Sequence, residues 1–457
     1  MNAGGARTGR PPRRRVLALA LVGVMLQLLA EATHVQPAIG EAAVSPETSW
    51  RPPTGVRPLH RIGVRTMAGR HAEFFDTVTG RAFVPRGNNY IRLDPKHSTF
   101  SPAKYDPDRV EVALREMQRH GYNVVRVYLN SQVIGGSLER PGVDVLYMSN
   151  VLDFLARANA HGLYVMLSSD WLPSNYASIV GASPPPAKVE GINGVFMTPG
   201  FIEAARQYWT DVITAIKFLD PSLLSTVFSY DIWAEPFFQS DQQPFSLTSG
   251  FVTTADGGTY DMSNAASRQL AADNAARYWA NQVVAAVKRA DPQALTVASL
   301  FSPKAVGRSG YDGVQPNRDV RAPLRMSVLA ESALDYVDLH TYPTGASYRL
   351  KDDLDSAELG ATGMSKPRLI GEFGALKSYY PEANDAAPVL ADHQVGSCAY
   401  GVKGWLLWTW DAGGSEQPHF WNALDANGEI NSLLAPIHRP DACSGIGRLQ
   451  PTIAEAP

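Results

Sequence analysis

The sequence predicts a (β/α)8 TIM barrel. Three observations carry this expectation. Eight short runs rich in β-branched and aromatic residues alternate with helical patterns, the signature of a parallel sheet wrapped by helices. The eight units occupy roughly 390 residues, which suits a barrel enlarged by insertions over its usual size of about 250. No Gly-x-Gly-x-x-Gly follows the first run, so an open doubly wound sheet has little support.

The elements read in order as follows. Residues 71–83 form a hairpin whose turn is Asp76-Thr77-Val78-Thr79-Gly80, a polar stretch with a glycine to close it. Strand one is 82–90, followed by a helix at 107–120. Strand two is 122–129, helix two 151–161 and strand three 163–169. A Pro/Gly-rich loop, 171–197, leads to Thr198 as N-cap and Pro199 in the first turn of a helix reaching 219, since proline at that position forfeits no helical hydrogen bond. Strand four is 225–234. A second long loop, 236–262, ends at Ser263, the expected N-cap of a helix to 290. Strand five is 295–301, and the helix after it is poorly marked. Strands six, seven and eight are 334–340, 368–372 and 404–410, with a helical stretch at 384–400 between the last two. Only a short helix and an irregular tail follow. In a barrel, the loops after strands three and four lie on the face that carries active sites.

Over the whole chain the composition is that of an ordinary soluble protein, 45% hydrophobic and 19% charged, with a net charge of −3. The first 32 residues hold five Arg against one Glu, so the remainder is more acidic still and offers no basic nucleic-acid surface. Arg13-Arg14-Arg15, an apolar run from Val16 to Ala30 and Ala30-Glu31-Ala32 have the layout of a signal peptide over 1–32. The alternative is an uncleaved anchor, although the run is shorter than the ~20 residues a span needs. Residues 33–60 read as a Pro-rich linker and 61–457 as the catalytic domain with a short tail. A secreted or envelope-associated monomer with no membrane span in its mature chain is the expectation. Cys398 and Cys443 are the two cysteines, and in an exported chain they are expected to pair. No Cys-x-x-Cys or His-Glu-x-x-His occurs, so neither a metal nor an organic cofactor is expected.

Two carboxylates stand out. Glu235 closes Asp231-Ile232-Trp233-Ala234-Glu235-Pro236, and Glu372 closes Leu369-Ile370-Gly371-Glu372. They end strands four and seven, which face each other across a barrel mouth. A carboxylate at the end of a buried strand is costly unless something uses it. Two facing carboxylates are the requirement of glycoside hydrolysis, provided neighbours push their pKa values apart. His340 and Tyr342 lie two apart after strand six and share a face; the phenol suits a hydrogen bond to Glu372. Arg126 projects on the face of strand two that holds Val124 and Tyr128, and an inward arginine needs an anion such as Glu372. Trp408 and Trp410 end strand eight, where an indole can stack on a sugar ring; one of them is expected to pack instead, with Trp408 the favoured platform. Asp170 and Trp171, after strand three, are expected to line the cleft, with a turn aspartate as the alternative. Phe237, Phe238, Phe420 and Trp421 are loop aromatics that either stack on sugars or pin loops.

On these residues the chain resembles the clan A glycoside hydrolases and is most similar to glycoside hydrolase family 5, the cellulase and mannanase family. The family's pattern is matched by Arg126, Ala234-Glu235-Pro236, His340-Thr341-Tyr342, Glu372 and Trp408 or Trp410, in order, over about 82–412. The resemblance implies a carbohydrate substrate and a retaining mechanism, with Glu235 as acid/base and Glu372 as nucleophile. One departure concerns the substrate: the family's Asn before the acid/base, which binds the sugar 2-hydroxyl, is Ala234 here. Three explanations compete: Asn88 or Asn89 takes over its role, the substrate is a furanoside or a substituted sugar, or catalysis is weakened. A glycan-binding protein without turnover and a transglycosylase are the alternatives on the same residues.

Overall fold

The computed structural model describes residues 58–66, 71–91, 97–183, 185–314, 319–360, 364–411 and 419–444. The signal peptide read at 1–32 and nearly all of the linker read at 33–60 lie outside them. The described residues fall in one unit, Trp50–Pro457. Eight parallel strands close on themselves, and we number these barrel strands alone: β1 (Arg86–Asn89), β2 (Val124–Leu129), β3 (Tyr164–Ser169), β4 (Val227–Ala234), β5 (Leu295–Phe301), β6 (Val337–His340), β7 (Arg368–Phe373) and β8 (Val402–Leu407). Each pairs with the next in chain order, and β8 pairs with β1. The fold class expected from the sequence is therefore the one observed.

Local chemistry explains most boundaries. Asp106 caps the helix Pro107–Arg119 by accepting from the Arg109 amide, and Asp144 caps Val145–Ala160 through Tyr147. That second helix starts six residues before the expected 151, because Asp144 rather than the later apolar run sets its beginning. Asn264, not Ser263, caps Ala265–Ala290. Thr198 precedes Pro199–Leu219 as expected. The loop after β3 is partly helical, at Ala177–Ala182 and Asn193–Met197. The loop after β4 carries a hairpin, Phe251–Thr253 with Thr259–Asp261, and a strand, Phe237–Gln239, paired with Arg321–Pro323. The run expected as one strand at 82–90 is two: Ala82–Phe83 completes an N-terminal sheet with Ile62–Arg65 and Glu73–Asp76, and only Arg86–Asn89 enters the barrel.

The barrel interior is layered. At the end where the strands start, Phe74 from the N-terminal sheet inserts against Phe228 and Tyr336, ring centroids 5.4 and 5.1 Å away. With Val124, Met166, Val297 and Leu369 it makes an apolar plug. Above it lies a polar layer built on Arg126 and Asp231, both fully buried. The mouth holds the carboxylates and a small cluster of Ile91, Tyr128, Ala234 and Trp408, against which Tyr342 and Phe420 pack.

Two irregularities aim the carboxylates. Between the pairs Asp231–Val297 and Ala234–Ser299, β4 spends three residues where β5 spends two. Between Leu369–Asp338 and Glu372–His340, β7 again spends three against two of β6. An extra residue in one strand re-aims the side chains beyond it. Both glutamates thus follow a bulge in their own strand. The disulfide Cys398–Cys443 ties the helix Ala383–Cys398 to the C-terminal segment. Among the described residues, no helix is long and apolar enough to cross a membrane.

Candidate active site

Arg126 organises the site from below. Its Nη2 donates to Asp231 Oδ2 at 2.8 Å and its Nε to Ser168 Oγ at 2.8 Å. Its Nη1 donates to Glu372 Oε1 and lies 3.2 Å from His340 Nε2. Asp231 in turn accepts from the hydroxyls of Ser168, at 2.9 Å, and Ser299, at 2.6 Å. A guanidinium at this depth is tolerable because two carboxylates and several oxygens surround it.

Glu372 is held by two phenols as well. Tyr128 donates to Oε1 and Tyr342 to Oε2, each at 2.5 Å. Burial alone would raise the carboxyl's pKa; His340, Arg126 and the two phenols outweigh it and hold the pKa below the usual glutamate value. The phenols move the other way: burial first, then the carboxylate, push Tyr342 well above an ordinary tyrosine, and burial outweighs Arg126 to do the same to Tyr128. Both are firm hydroxyl donors.

Glu235 is placed differently. Its backbone is left-handed, φ 56°, a conformation that costs a non-glycine residue about 1–3 kcal/mol and clusters at functional sites. Its Oε1 lies 2.9 Å from His340 Nδ1. Its side chain is 30% exposed, against 6% for Glu372. His340 thus bridges the carboxylates, being 3.4 Å from Glu372 Oε2. Burial opposes its protonation, but the carboxylates prevail over burial and Arg126 and raise its pKa. In its neutral form, Nδ1–H donates to Glu235 and Nε2 accepts from Arg126. Oxygens of Glu235 and Glu372 lie within 4.8 Å of one another.

Glu235, His340 and Glu372 are also the one set of His, Cys, Asp and Glu donors close enough to share a cation, among the described residues. They suit it poorly. Their facing atoms already hydrogen-bond to each other and to Tyr342, and the Arg126 guanidinium touches both His340 and Glu372, so a second cation would meet it at close range.

The structure brings Glu235, Glu372, His340, Tyr342 and Trp408 together at the mouth over Arg126, and gives the other expected residues the following neighbours. Asn89 is buried and points inward, but its amide donates to the carbonyls of Gly371 at 2.9 Å and Leu407 at 3.3 Å; it braces the barrel. Asn88, one residue earlier, alternates to the opposite side and is fully buried. The Asn89 side-chain carbonyl oxygen also accepts from Arg126 Nη1 at 3.3 Å, so both ends of its side chain are engaged within the barrel. Trp410 is 1% exposed and packs edge-on to Tyr122 and near His120. β8 ends at Leu407, so strand alternation no longer puts Trp410 beside Trp408. Trp171 packs against Trp233 at 5.3 Å, and Asp170 lies 3.7 Å from His97. Phe238 is buried between Phe196 and Phe245, whereas Phe420 packs on Tyr342 at 5.4 Å. Trp421 donates to the Tyr380 carbonyl and lies under Lys377.

Sequence reasoning passed over Tyr128, Asp231, Ser168, Ser299 and His97. Tyr128 was signalled by its parity with Arg126, and Asp231 by the inward arginine's need for anions. His97 stacks on Tyr128, centroids 4.7 Å apart and planes 17° from parallel; nothing in the local sequence marks it.

This arrangement, two carboxylates across the mouth of a (β/α)8 barrel above a buried arginine, has the fold of clan A glycoside hydrolases of family 5. An exo-β-1,4-mannosidase from an Opitutaceae bacterium (strain TAV5) aligns with a TM-score of 0.55 at 16% identity, over 83% of this chain and 63% of that one. The chain thus spans less than two thirds of that mannosidase. An endo-1,4-β-mannanase from Rhizomucor miehei gives 0.55 at 16% identity, over 83% of this chain and 100% of the other. A family 5 enzyme from Streptomyces cattleya, in complex with Manβ1-4GlcNAc, gives 0.51 at 15% identity, over 78% and 81%. No protein-family model and no curated protein sequence matches the chain. At these identities the likeness establishes the fold.

Proposed function

We propose that this protein is an exported, retaining O-glycoside hydrolase acting on a polysaccharide or glycoconjugate. The observation that carries the proposal is the close, unequal pair of carboxylates. Retaining enzymes hold their carboxyl groups about 5–5.5 Å apart and inverting ones about 6.5–9.5 Å; oxygens within 4.8 Å suit the first. Glu372 is buried, anchored by three donors and kept ionised, which fits a nucleophile. Glu235 is more exposed, and its side chain hydrogen-bonds to His340 alone among the described residues, which leaves it able to give and take a proton.

The reaction then runs in two displacements. A Glu372 oxygen bonds the anomeric carbon as the bond to the leaving oxygen breaks, and Glu235 gives that oxygen its proton. Water next attacks the glycosyl-enzyme, surrenders a proton to Glu235 and frees Glu372. Tyr128, Tyr342 and Arg126 hold the attacking carboxylate, and the Trp408 face borders the sugar. Export is supported by the N-terminal leader pattern and by the single disulfide.

A panel of aryl glucosides, mannosides and furanosides tests the proposal. Turnover of one, abolished in Glu372→Ala, is expected. Anomer-resolved NMR of the first product should show retention, and initial inversion would contradict the two-step route. Binding across a glycan array with no turnover of matching substrates would favour the glycan-binding alternative.

A further inference from the structure

Thr341 separates His340 from Tyr342, and its side chain turns away from the mouth. Its Oγ1 lies 2.6 Å from His393 Nε2, and its amide donates to the Glu372 carbonyl at 3.0 Å. His393 comes from the helix Ala383–Cys398 and is 3% exposed. Its ring stacks on Phe373, the residue after Glu372, at 5.5 Å and 18°. On its other side it runs parallel to Tyr348, at 6.5 Å and 10°. Tyr348 donates to Asp353 at 3.0 Å, and Asp353 accepts from Ser302, just past the end of β5. One imidazole therefore touches the residue that spaces His340 from Tyr342 and the residue that follows Glu372.

We propose that His393 is a positioning residue: by holding Thr341 and Phe373 together it sets where the Tyr342 hydroxyl meets the Glu372 carboxylate. Burial brings the His393 pKa down to about 3, which favours the neutral ring. Its contribution is geometric. The inference rests on the reading of Glu372 as nucleophile, but its test does not depend on it.

Three variants separate the roles of the ring. Thr341→Val keeps the β-branched shape and removes the hydroxyl. His393→Phe keeps a stacking ring and removes Nε2. His393→Gln places an amide near the lost nitrogen. A disturbed hydrogen bond of ordinary strength amounts to about tenfold in rate. Thr341→Val and His393→Phe should each lower kcat about that much with KM nearly unchanged, the double variant should be no worse than the poorer single, and His393→Gln should recover much of the loss. The acidic limb of kcat/KM should move to higher pH. Glu372 is faced by Arg126 and Tyr128 from β2, Glu235 after β4, His340 at the end of β6 and Tyr342 just past it; these substitutions disturb the Tyr342 contact. The decisive measurement needs no substrate. A 13C NMR titration of the Glu372 carboxyl should show a higher pKa in Thr341→Val than in the parent. A folded Thr341→Val protein with an unchanged Glu372 titration overturns the inference, as do additive losses in the double variant. If the parent turns over no glycoside but the titration moves, the hydrolase proposal fails and the positioning role stands.

Discussion

Replacing Tyr128 by Phe isolates one donor to Glu372 without disturbing the packing around it. The ring is 5% exposed. His97 stacks on it, Trp408 meets it edge-on at 6.3 Å, and the Arg126 guanidinium lies 4.7 Å from its centroid. Phe preserves each of those contacts. What is lost is the 2.5 Å bond to Oε1. A hydrogen bond to a charged group contributes about 1.5–3 kcal/mol, or roughly 10- to 100-fold in rate if the carboxylate must stay ionised and aligned. The bond favours the ionised carboxyl, so removing it raises the Glu372 pKa. Activity that requires ionised Glu372 must then fade at higher pH than in the parent. The assay is kcat/KM against pH on an aryl glycoside with a good leaving group, where protonation by Glu235 is dispensable and the acidic limb reports Glu372. A rate and an acidic limb both unchanged in folded Tyr128→Phe would refute the reasoning.

Three further outcomes are expected. Ala234→Asn puts an amide into the apolar group of Ile91, Tyr128 and Trp408, where an unpaired polar group costs about 1–3 kcal/mol; it should lower thermal stability and turnover of the true substrate, whereas faster turnover of an ordinary β-pyranoside would show a merely weakened site. Asp338 is fully buried, and burial pushes its pKa up to about 6 from 3.8. Its native form holds the proton more tightly than the unfolded chain does, so the parent should lose about 3 kcal/mol of stability as pH rises from about 4 to about 6, and Asp338→Asn should lack that loss in urea titrations across the range. Cys398 and Cys443 lie 45 residues apart, a loop whose closure contributes at most about 4 kcal/mol; the double Ser variant should unfold earlier in guanidinium with the barrel's far-UV spectrum intact.

Much of this site was legible because a strand writes its geometry in steps of two. Arg126 and Tyr128 share a face as that rule demands, and so do Asp338 and His340. The rule failed wherever the backbone left regular strand geometry. The bulges before Ala234 and Glu372 change which residues face inward, and no residue type in either segment announces them. β8 stops at Leu407, so strand parity does not say which of Trp408 and Trp410 packs; Trp410 is the more deeply buried one. Asn88 and Asn89 were treated as interchangeable, although one step of alternation sends the first outward and leaves the second bracing two carbonyls. His97 is not marked in the sequence because it stacks on Tyr128 of β2 from a distant loop, with no spacing in the chain to record the contact.

The asymmetry between the glutamates follows from where their strands draw support. Glu372 stands over Arg126 and between two phenols, all rooted in β2 and the end of β6, so its charge is fixed by the buried Arg126 and Tyr128 and the half-buried Tyr342. Glu235 sits past the end of β4 in a left-handed conformation and leans on His340 alone. That difference suits chemistry in which one carboxylate stays ionised while the other changes its protonation twice per cycle. Beside Glu235, Ala234 joins an apolar wall with Ile91, Tyr128 and Trp408 rather than offering an amide. On the proposed reading, the polar groups around Glu372 and Glu235 serve bond cleavage, and that apolar wall restricts which sugar can present its bond to them.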